Sequence, residues 1–582
     1  MNRLMQALAL LMVLVLAGCV SFPTSGPVEK VSDARPDGRP GIDVAAQPPV
    51  PGASPEAVLE GFFAASEAAG DGYLVARQYL TPEVAGSWRP EAGITVYDST
   101  GQSRVVTVDG SALLRAPLVG RVDTDQVFTA VHEPDFTHNF EMQQVDGEWR
   151  IGNPGEGILM SVQRFQRAFI AIPVYYLDPT GQRMVSQQAF LRQTDVNVQS
   201  PDALVRAAIN GPGTWLRPAV LDALPAEVQS SGTWVDEQGI ARLALSEQME
   251  ALSAAQRLQA AAQLLFTLGY FNSITGVQIS VNGQPLSIPG ADQDGVVTMD
   301  AVGRFDPQRP VAARDLFGVR DGSVIRLPDA AGAQVQPLPG LLGAGWEYTA
   351  GRLATNWGSD QVAVLTSDGR QLYTAATDEG TPGLVHQGTD MVKPQYDANG
   401  LLWSIDNTAD GPVAVRIGRG RVVTVPLSEL GTAEVIAFRI SPDATRVAVI
   451  ADFGDRQELG MLRLRGTEQL VIDGWRVQPV STSRGLVTEF RDVGFIAADR
   501  MMVLGAVERD PQFMVYALDV DGAVVTSQGP LSDVDAVGMT VMPLDNVGAV
   551  AVVTATSRGL RYEAQFRWST LIEDVQDLAY PS

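Results

Sequence analysis

Apolar and polar positions change their period several times along the chain, and each change predicts a different kind of element. Leu4 to Leu16 is apolar apart from Gln6. At about 13 residues the run is well short of the roughly 20 that a spanning helix needs. It follows Arg3 and runs into the small residues before Cys19, which is the layout of a secretory signal over residues 1–18. Residues 19–53 then lose all periodicity. Pro23, Pro27, Pro36, Pro40, Pro48, Pro49 and Pro51 are spread among Gly, Ser and Asp, a composition that cannot bury enough surface to fold. As a coil this tether reaches roughly 30 Å.

A helical stripe begins the first folded unit, residues 54–166. Ser54-Pro55-Glu56 supplies a cap and a first-turn proline, and Val58, Leu59, Phe62 and Phe63 share a face. A second helix is predicted through Tyr73, Val75, Ala76, Tyr79 and Leu80, ending near Thr81-Pro82. Beyond Trp88 the period falls to two: Ile94, Val96, Val106, Val108, Val127, Val131, Phe140 and Met142 lie on predicted strands, and Asp146-Gly147 forms a hairpin turn before Trp149 and Ile151. Helices followed by a meander predict an α+β domain, and this order resembles the nuclear-transport-factor-2-like superfamily.

The second unit, residues 167–290, mixes both periods. Phe169 to Leu177 is an apolar strand. Ser200-Pro201-Asp202 opens a helix through Leu204, Val205, Ala208 and Ile209, and Gly211-Pro212 closes it. Ala241, Leu243 and Leu245 alternate in a strand after Gly239. Ser253 caps a long helix with Leu258, Ala261, Leu265 and Leu268 on one face, and Val277, Ile279 and Val281 alternate before Asn282-Gly283.

From 305 to 582 helical periodicity is almost absent. Apolar runs at Val362–Leu365, Leu401–Trp403, Val447–Ile450, Met501–Leu504 and Ala549–Val553 recur between turn residues such as Ser367-Asp368-Gly369 and Ser441-Pro442-Asp443. Their spacing, about 40 to 55 residues, is that of four-stranded propeller blades. Roughly 275 residues at that spacing make about six blades; a pair of β-sandwiches is the alternative. The fold class expected is therefore multidomain: two α+β domains followed by an all-β propeller.

Composition narrows the function. Cys19 is the single cysteine of 582 residues, so the folded part has no disulfide, no zinc-cysteine site and no thiol nucleophile. A formal charge of −25 opposes nucleic acid or anionic lipid as the main partner. Lys30 and Lys393 are the only lysines among 42 Lys and Arg residues, a bias that points to a genome rich in G and C.

Leu16-Ala17-Gly18-Cys19 resembles the lipobox of bacterial lipoproteins. The resemblance implies cleavage between Gly18 and Cys19, with an S-diacylglyceryl group and an N-acyl group on Cys19. Two or more acyl chains, at about 0.8 kcal/mol per buried methylene, anchor stably. The second unit is similar to the GerMN domain through Ile172-Pro173-Val174-Tyr175-Tyr176, Leu204 through Asn210-Gly211-Pro212, Ala223-Leu224-Pro225 and Leu264-Leu265-Phe266-Thr267-Leu268. With the propeller and its Ser441-Pro442-Asp443 turn, the order resembles that of the LpqB lipoproteins of high-G+C Gram-positive bacteria over nearly the whole length. The family resemblance implies an anchor on the outer face of the plasma membrane. It also implies a partner, the extracellular domain of an MtrB-type sensor histidine kinase, whose signalling affects envelope and division.

Candidate chemistry is sparse. His132, His138 and His386 are the only histidines. His132-Glu133-Pro134-Asp135-Phe136-Thr137-His138 clusters ligand types, but Pro134 opposes the helix that a His-x-x-x-His pair requires. There is no Gly-x-Ser-x-Gly elbow and no Walker lysine. No catalytic residue, metal site or cofactor is expected beyond the lipid on Cys19. Trp215, Trp234, Trp346, Trp357, Trp403, Trp475 and Trp568 are expected mainly to pack between blades or under loops, with a binding surface as the alternative. Carboxylates are abundant, so an envelope glycan or peptidoglycan hydrolase stays open as a rival, as does a propeller that binds a cell-wall ligand.

Overall fold

The computed structural model describes residues 46–581 except 68–69, 100–103, 109–110, 307–314, 330–333, 467–468, 483, 531–534, 544–548 and 565. The signal, Cys19 and the tether up to residue 45 lie outside the described residues. The described residues all belong to one unit.

The helix Pro55–Glu67 starts where the cap predicts, with the Ala57 amide donating to Ser54 Oγ at 3.3 Å. Its buried face carries Val58, Leu59, Phe62 and Phe63. Phe62 packs on Trp88 with ring centroids 5.4 Å apart, and Phe63 meets Phe140 edge-on at 5.6 Å. The second helix is shorter than expected, Leu74–Arg77. Leu80 leaves it to bridge to Ile151, and Pro82 begins a further helix, Pro82–Ser87, instead of ending one. Strand pairing also departs from a meander. Ile94–Tyr97 lies between Leu118–Val122 and a parallel partner distant in sequence, Ile158–Ser161. Alternation identifies which residues extend, but pairing between remote strands is fixed by tertiary packing.

The GerMN-like domain begins with a long antiparallel hairpin, Phe169–Leu177 against Met184–Arg192. Its helix Ala254–Leu268 has a complete capping box, Ser253 with Gln256. That helix covers the hairpin, and Thr267 Oγ1 accepts from the Tyr175 amide at 3.1 Å. Gln263 is wholly buried in the same helix, satisfied by the Ala223 amide (2.8 Å) and Asp222 Oδ1 (2.9 Å). Ile240–Leu245 and Gly276–Val281 run parallel beneath it.

The described sheets beyond residue 315 form six propeller blades. Blade 1 comprises Leu316–Arg320, Ser323–Leu327 and Gln336–Pro337, and its innermost strand is Asp577–Ala579 from the other end of the domain. This pairing closes the ring. Blades 2 to 6 follow in chain order over 350–387, 395–426, 434–477, 481–530 and 536–572. Four of the five recurrent apolar runs lie on the second strands of their blades, Gln361–Thr366, Leu402–Thr408, Arg446–Asp452 and Ala549–Thr554; the other, Arg500–Val507, is the central strand of the five in blade 5. Such a strand has neighbouring blades on both faces, so burial along it is nearly continuous and does not alternate. The equivalent strand of blade 1 is Leu316–Arg320, where Leu316, Phe317, Gly318 and Val319 are all buried.

The three domains share contacts. Phe190 and Phe169 of the hairpin join Phe128 and Phe165 in the core of the first domain, with Phe128 and Phe190 5.5 Å apart. On the propeller side, Arg446 Nη2 donates to Ser186 O at 2.5 Å, Gln188 Nε2 to Asp499 Oδ2 at 2.7 Å, and Trp215 Nε1 to Gly474 O at 2.7 Å. The first domain touches blade 5 where the Ala130 amide donates to Asp521 O at 3.3 Å.

Candidate binding site

Around the propeller axis the charged groups come in pairs. Lys393 Nζ donates to Asp577 Oδ1 at 2.8 Å and to Leu578 O at 2.6 Å, with the lysine side chain 13 % exposed. The other Asp577 oxygen accepts the Leu353 amide at 2.9 Å. Beside them Arg439 faces Asp492 at 3.3 Å, and Asp492 also accepts the amides of Val493 and Met539. Burial pushes the Lys393 ammonium below its ordinary pKa, while Asp577 and Asp492 oppose the shift. Gln395 clamps Ile440 by both its amide atoms, at 3.2 and 2.7 Å. Lys393, Asp577, Arg439, Asp492 and Gln395 each have a protein partner, so this cluster joins blades to one another.

The Ser441-Pro442-Asp443 turn does more than bend the chain. Asp443, with no exposed surface, accepts from Ser441 Oγ (2.5 Å), Thr445 Oγ1 (2.8 Å) and Arg446 Nη1 (2.7 Å). Arg446 is thereby aimed at Ser186 of the GerMN-like hairpin, and the turn ties two domains together.

A cleft of about 790 Å³ opens between that hairpin and blades 3 and 4. The hairpin supplies Asp178 and Arg183, and blade 3 supplies Asp397, Arg416, Arg419 and Arg421. Both carboxylates are occupied. Asp178 accepts from Thr180 Oγ1 and from the amides of Gln182 and Arg183. Asp397 accepts from the amides of Asn399 and Leu401 and from Trp403 Nε1, and burial raises its pKa. Arg183 is held by Ala398 O and Asn399 Oδ1. The three arginines of blade 3 have no ion-pair partner among the described residues. Arg416 lies 5.7 Å from the centre of the Trp403 ring, and Arg419 and Arg421 are exposed.

Strand register explains this array. Arg421 pairs with Gly418, and Arg416 lies two residues before Gly418, so both arginines project from one face of the hairpin. Gly418 makes room for Leu401 between them: a Cβ there would lie 2.3 Å from Leu401 Cδ2. Arg419 holds the turn with φ 51°. These arginines do not stand out in the sequence, since arginine is almost the sole basic residue of the chain. The Gly418-Arg419-Gly420-Arg421 run, a turn carrying two cations, was the available signal.

The histidines occupy unrelated places. His132 is exposed on the strand Phe128–Glu133, and His138 lies on Thr137–Asn139 in another sheet. His138 Nε2 is 3.1 Å from Asn153 O, and burial lowers its pKa. His386 lies on the outermost strand of blade 2. Among the described residues no three His, Cys, Asp or Glu side chains gather as a metal site. Of the tryptophans, Trp403 is buried, Trp475 packs over Gly460, and Trp215 fills the domain junction, stacked by Arg476 at 4.6 Å. Trp234 is instead 51 % exposed.

Residues 48–166 match the family described as Lipoprotein LpqB, N-terminal domain. Residues 173–287 match Sporulation and spore germination, and 322–581 match Lipoprotein LpqB beta-propeller domain. Lipoprotein LpqB of Cutibacterium acnes is 30 % identical over 97 % of both chains. Lipoprotein LpqB of Thermobifida fusca is 26 % identical over 93 % of this chain and 94 % of that protein. Among solved structures, the tandem GerMN domains of the sporulation protein GerM from Bacillus subtilis align with 28 % of this chain and 60 % of theirs, at 17 % identity and a TM-score of 0.19. In domain order and over nearly its full length, the chain belongs to the LpqB lipoprotein family.

Proposed function

We propose that this lipoprotein is anchored by lipid on Cys19 to the outer face of the plasma membrane. There it binds and modulates an envelope sensor histidine kinase of the MtrB type, affecting envelope and cell division, and does so without catalysis of its own. The observation that carries the reading is LpqB membership over 97 % of the chain. It is supported by the Leu-Ala-Gly-Cys sequence at 16–19. A lipid anchor is what holds such a chain beside a membrane-embedded partner.

Cys19→Ser tests the anchor. The variant is expected to lose acyl labelling and to appear in the medium or as uncut precursor; full membrane retention of unacylated, processed protein rules the anchor out. Titration of the full mature chain against the kinase's extracellular domain tests the partner. Saturable binding supports the proposal, and its absence both there and in crosslinking of intact cells removes it.

A further inference from the structure

The cleft between the GerMN-like hairpin and blades 3 and 4 has a charge balance unlike the rest of the molecule. The chain carries a formal −25, yet four arginines line this one cavity against two aspartates. The aspartate oxygens already accept backbone amides and Trp403 Nε1, and Arg183 is committed to Ala398 and Asn399. What faces the open volume is therefore Arg416, Arg419 and Arg421, without carboxylate partners among the described residues.

We propose that this cleft is a binding site for a phosphate-bearing ligand. A guanidinium presents planar paired donors that match an oxyanion in two-point contact. One guanidinium satisfies a carboxylate in that way. Three on a single hairpin suit a ligand with more terminal oxygens and more charge than one carboxylate, which a phosphomonoester or several linked phosphodiesters supply. The volume of about 790 Å³ is large for a lone ion and accommodates a phosphate with its sugar or polyol, or several linked phosphates. Fixed elements hold the site open. Arg416 is steadied over Trp403, whose indole is locked by Asp397, and Leu401, seated over Gly418, forms the floor between Arg416 and Arg421. The cleft also has two walls from different domains, so a ligand seated in it bears on both the hairpin and the propeller. Because the whole chain repels anions, retention of phosphate has to come from this local cluster. The inference does not depend on the kinase reading.

The test is calorimetric titration of the full mature chain at low ionic strength with three phosphate probes. These are inorganic phosphate, a glycerol-phosphate oligomer and vesicles containing phosphatidylglycerol; the probe bound most tightly identifies the source as free ion, phosphodiester polymer or lipid headgroup. Saturable binding to at least one of them is expected, weakening as salt is added. Exchanging the exposed pair, Arg419→Gln with Arg421→Gln, should lower that affinity about tenfold or more while leaving the unfolding midpoint in place. Adding Arg416→Gln should abolish it. The proposal is overturned if no probe binds in the millimolar range, or if the folded double variant binds as the parent does. Equal or tighter binding of poly-glutamate also overturns it, by assigning the cleft to an acidic protein segment instead.

Discussion

The propeller axis and the interdomain cleft are both rich in basic side chains, yet they treat them in opposite ways. At the axis each cation is matched: Lys393 by Asp577, Arg439 by Asp492, with spare carboxylate oxygens taken by backbone amides. In the cleft the cations of blade 3 are unmatched, and the carboxylates nearby are already occupied. A desolvated charge must find its partner within the protein, because leaving it single is too costly. An unmatched charge persists only where water or a ligand reaches it. Pairing therefore separates charges that hold the fold from charges free to meet something else.

The sharpest way to break the contrast is to unpair the axis. Asp577→Ala leaves Lys393 without its counterion and is expected to lower unfolding free energy by about 3–5 kcal/mol, read as a lower denaturant midpoint. Replacing both partners, Lys393→Met with Asp577→Leu, should recover most of that loss. If the single change is neutral, the axis pair contributes no more than a surface one. Arg446→Ala, which strands Asp443 and frees Ser186, should cost about 3 kcal/mol. Its added signature is faster amide exchange along Met184–Arg192 where that strand faces blade 4.

Blade 5 offers an intermediate case. Asp519 and Asp521 stand beside one another at the domain junction, and burial raises their pKa values to about 7 and about 6, from an ordinary 3.8. Arg476, itself lowered to about 10 by burial, only partly offsets this. Both carboxyls bind protons more tightly in the folded chain than in the unfolded one. Their burial therefore costs stability at pH above about 7, and the cost disappears as pH falls through 7 and 6 toward 4. The melting temperature should rise by a few degrees from pH 8 to pH 5.5, and Asp521→Asn should flatten that slope. An unchanged slope in the variant assigns the pH dependence elsewhere. The smallest effect is expected in the cleft. Exchanging Arg416, Arg419 and Arg421 for glutamine should move unfolding free energy by no more than about 0.5 kcal/mol. A larger loss makes these arginines structural after all.

The contrast between these regions also marks how far sequence reading reaches. Ser54, Ser253 and Asp146-Gly147 were legible because caps and tight turns are local chemistry. The five apolar runs were legible because a strand sandwiched between blades has no polar face. Leu316-Phe317-Gly318-Val319 belongs to the same series but does not stand out in the sequence; it is short, and Gly318 interrupts it where the Asp577–Ala579 strand approaches closely, with Asp577 O 3.0 Å from an added Cβ. Long-range pairings left no such trace. Nothing local to Ile94–Tyr97 announces Ile158–Ser161 as its parallel neighbour, and nothing near Ser186 announces Arg446. The cleft was illegible for the same reason, since its walls lie more than two hundred residues apart in the chain, as the contact of Arg183 with Ala398 shows.

Lys393 has a practical consequence at the bench. Lys30 and Lys393 are the only lysines, and the ε-ammonium of Lys393 is engaged by Asp577 and Leu578. Amine-directed crosslinkers and dyes therefore have almost nothing to grip on the folded domains, and a partner captured in cells will need carboxylate-directed or photoactivated reagents. The same scarcity makes Lys393 a built-in reporter: an acylating reagent that marks it has caught the propeller with its ring open.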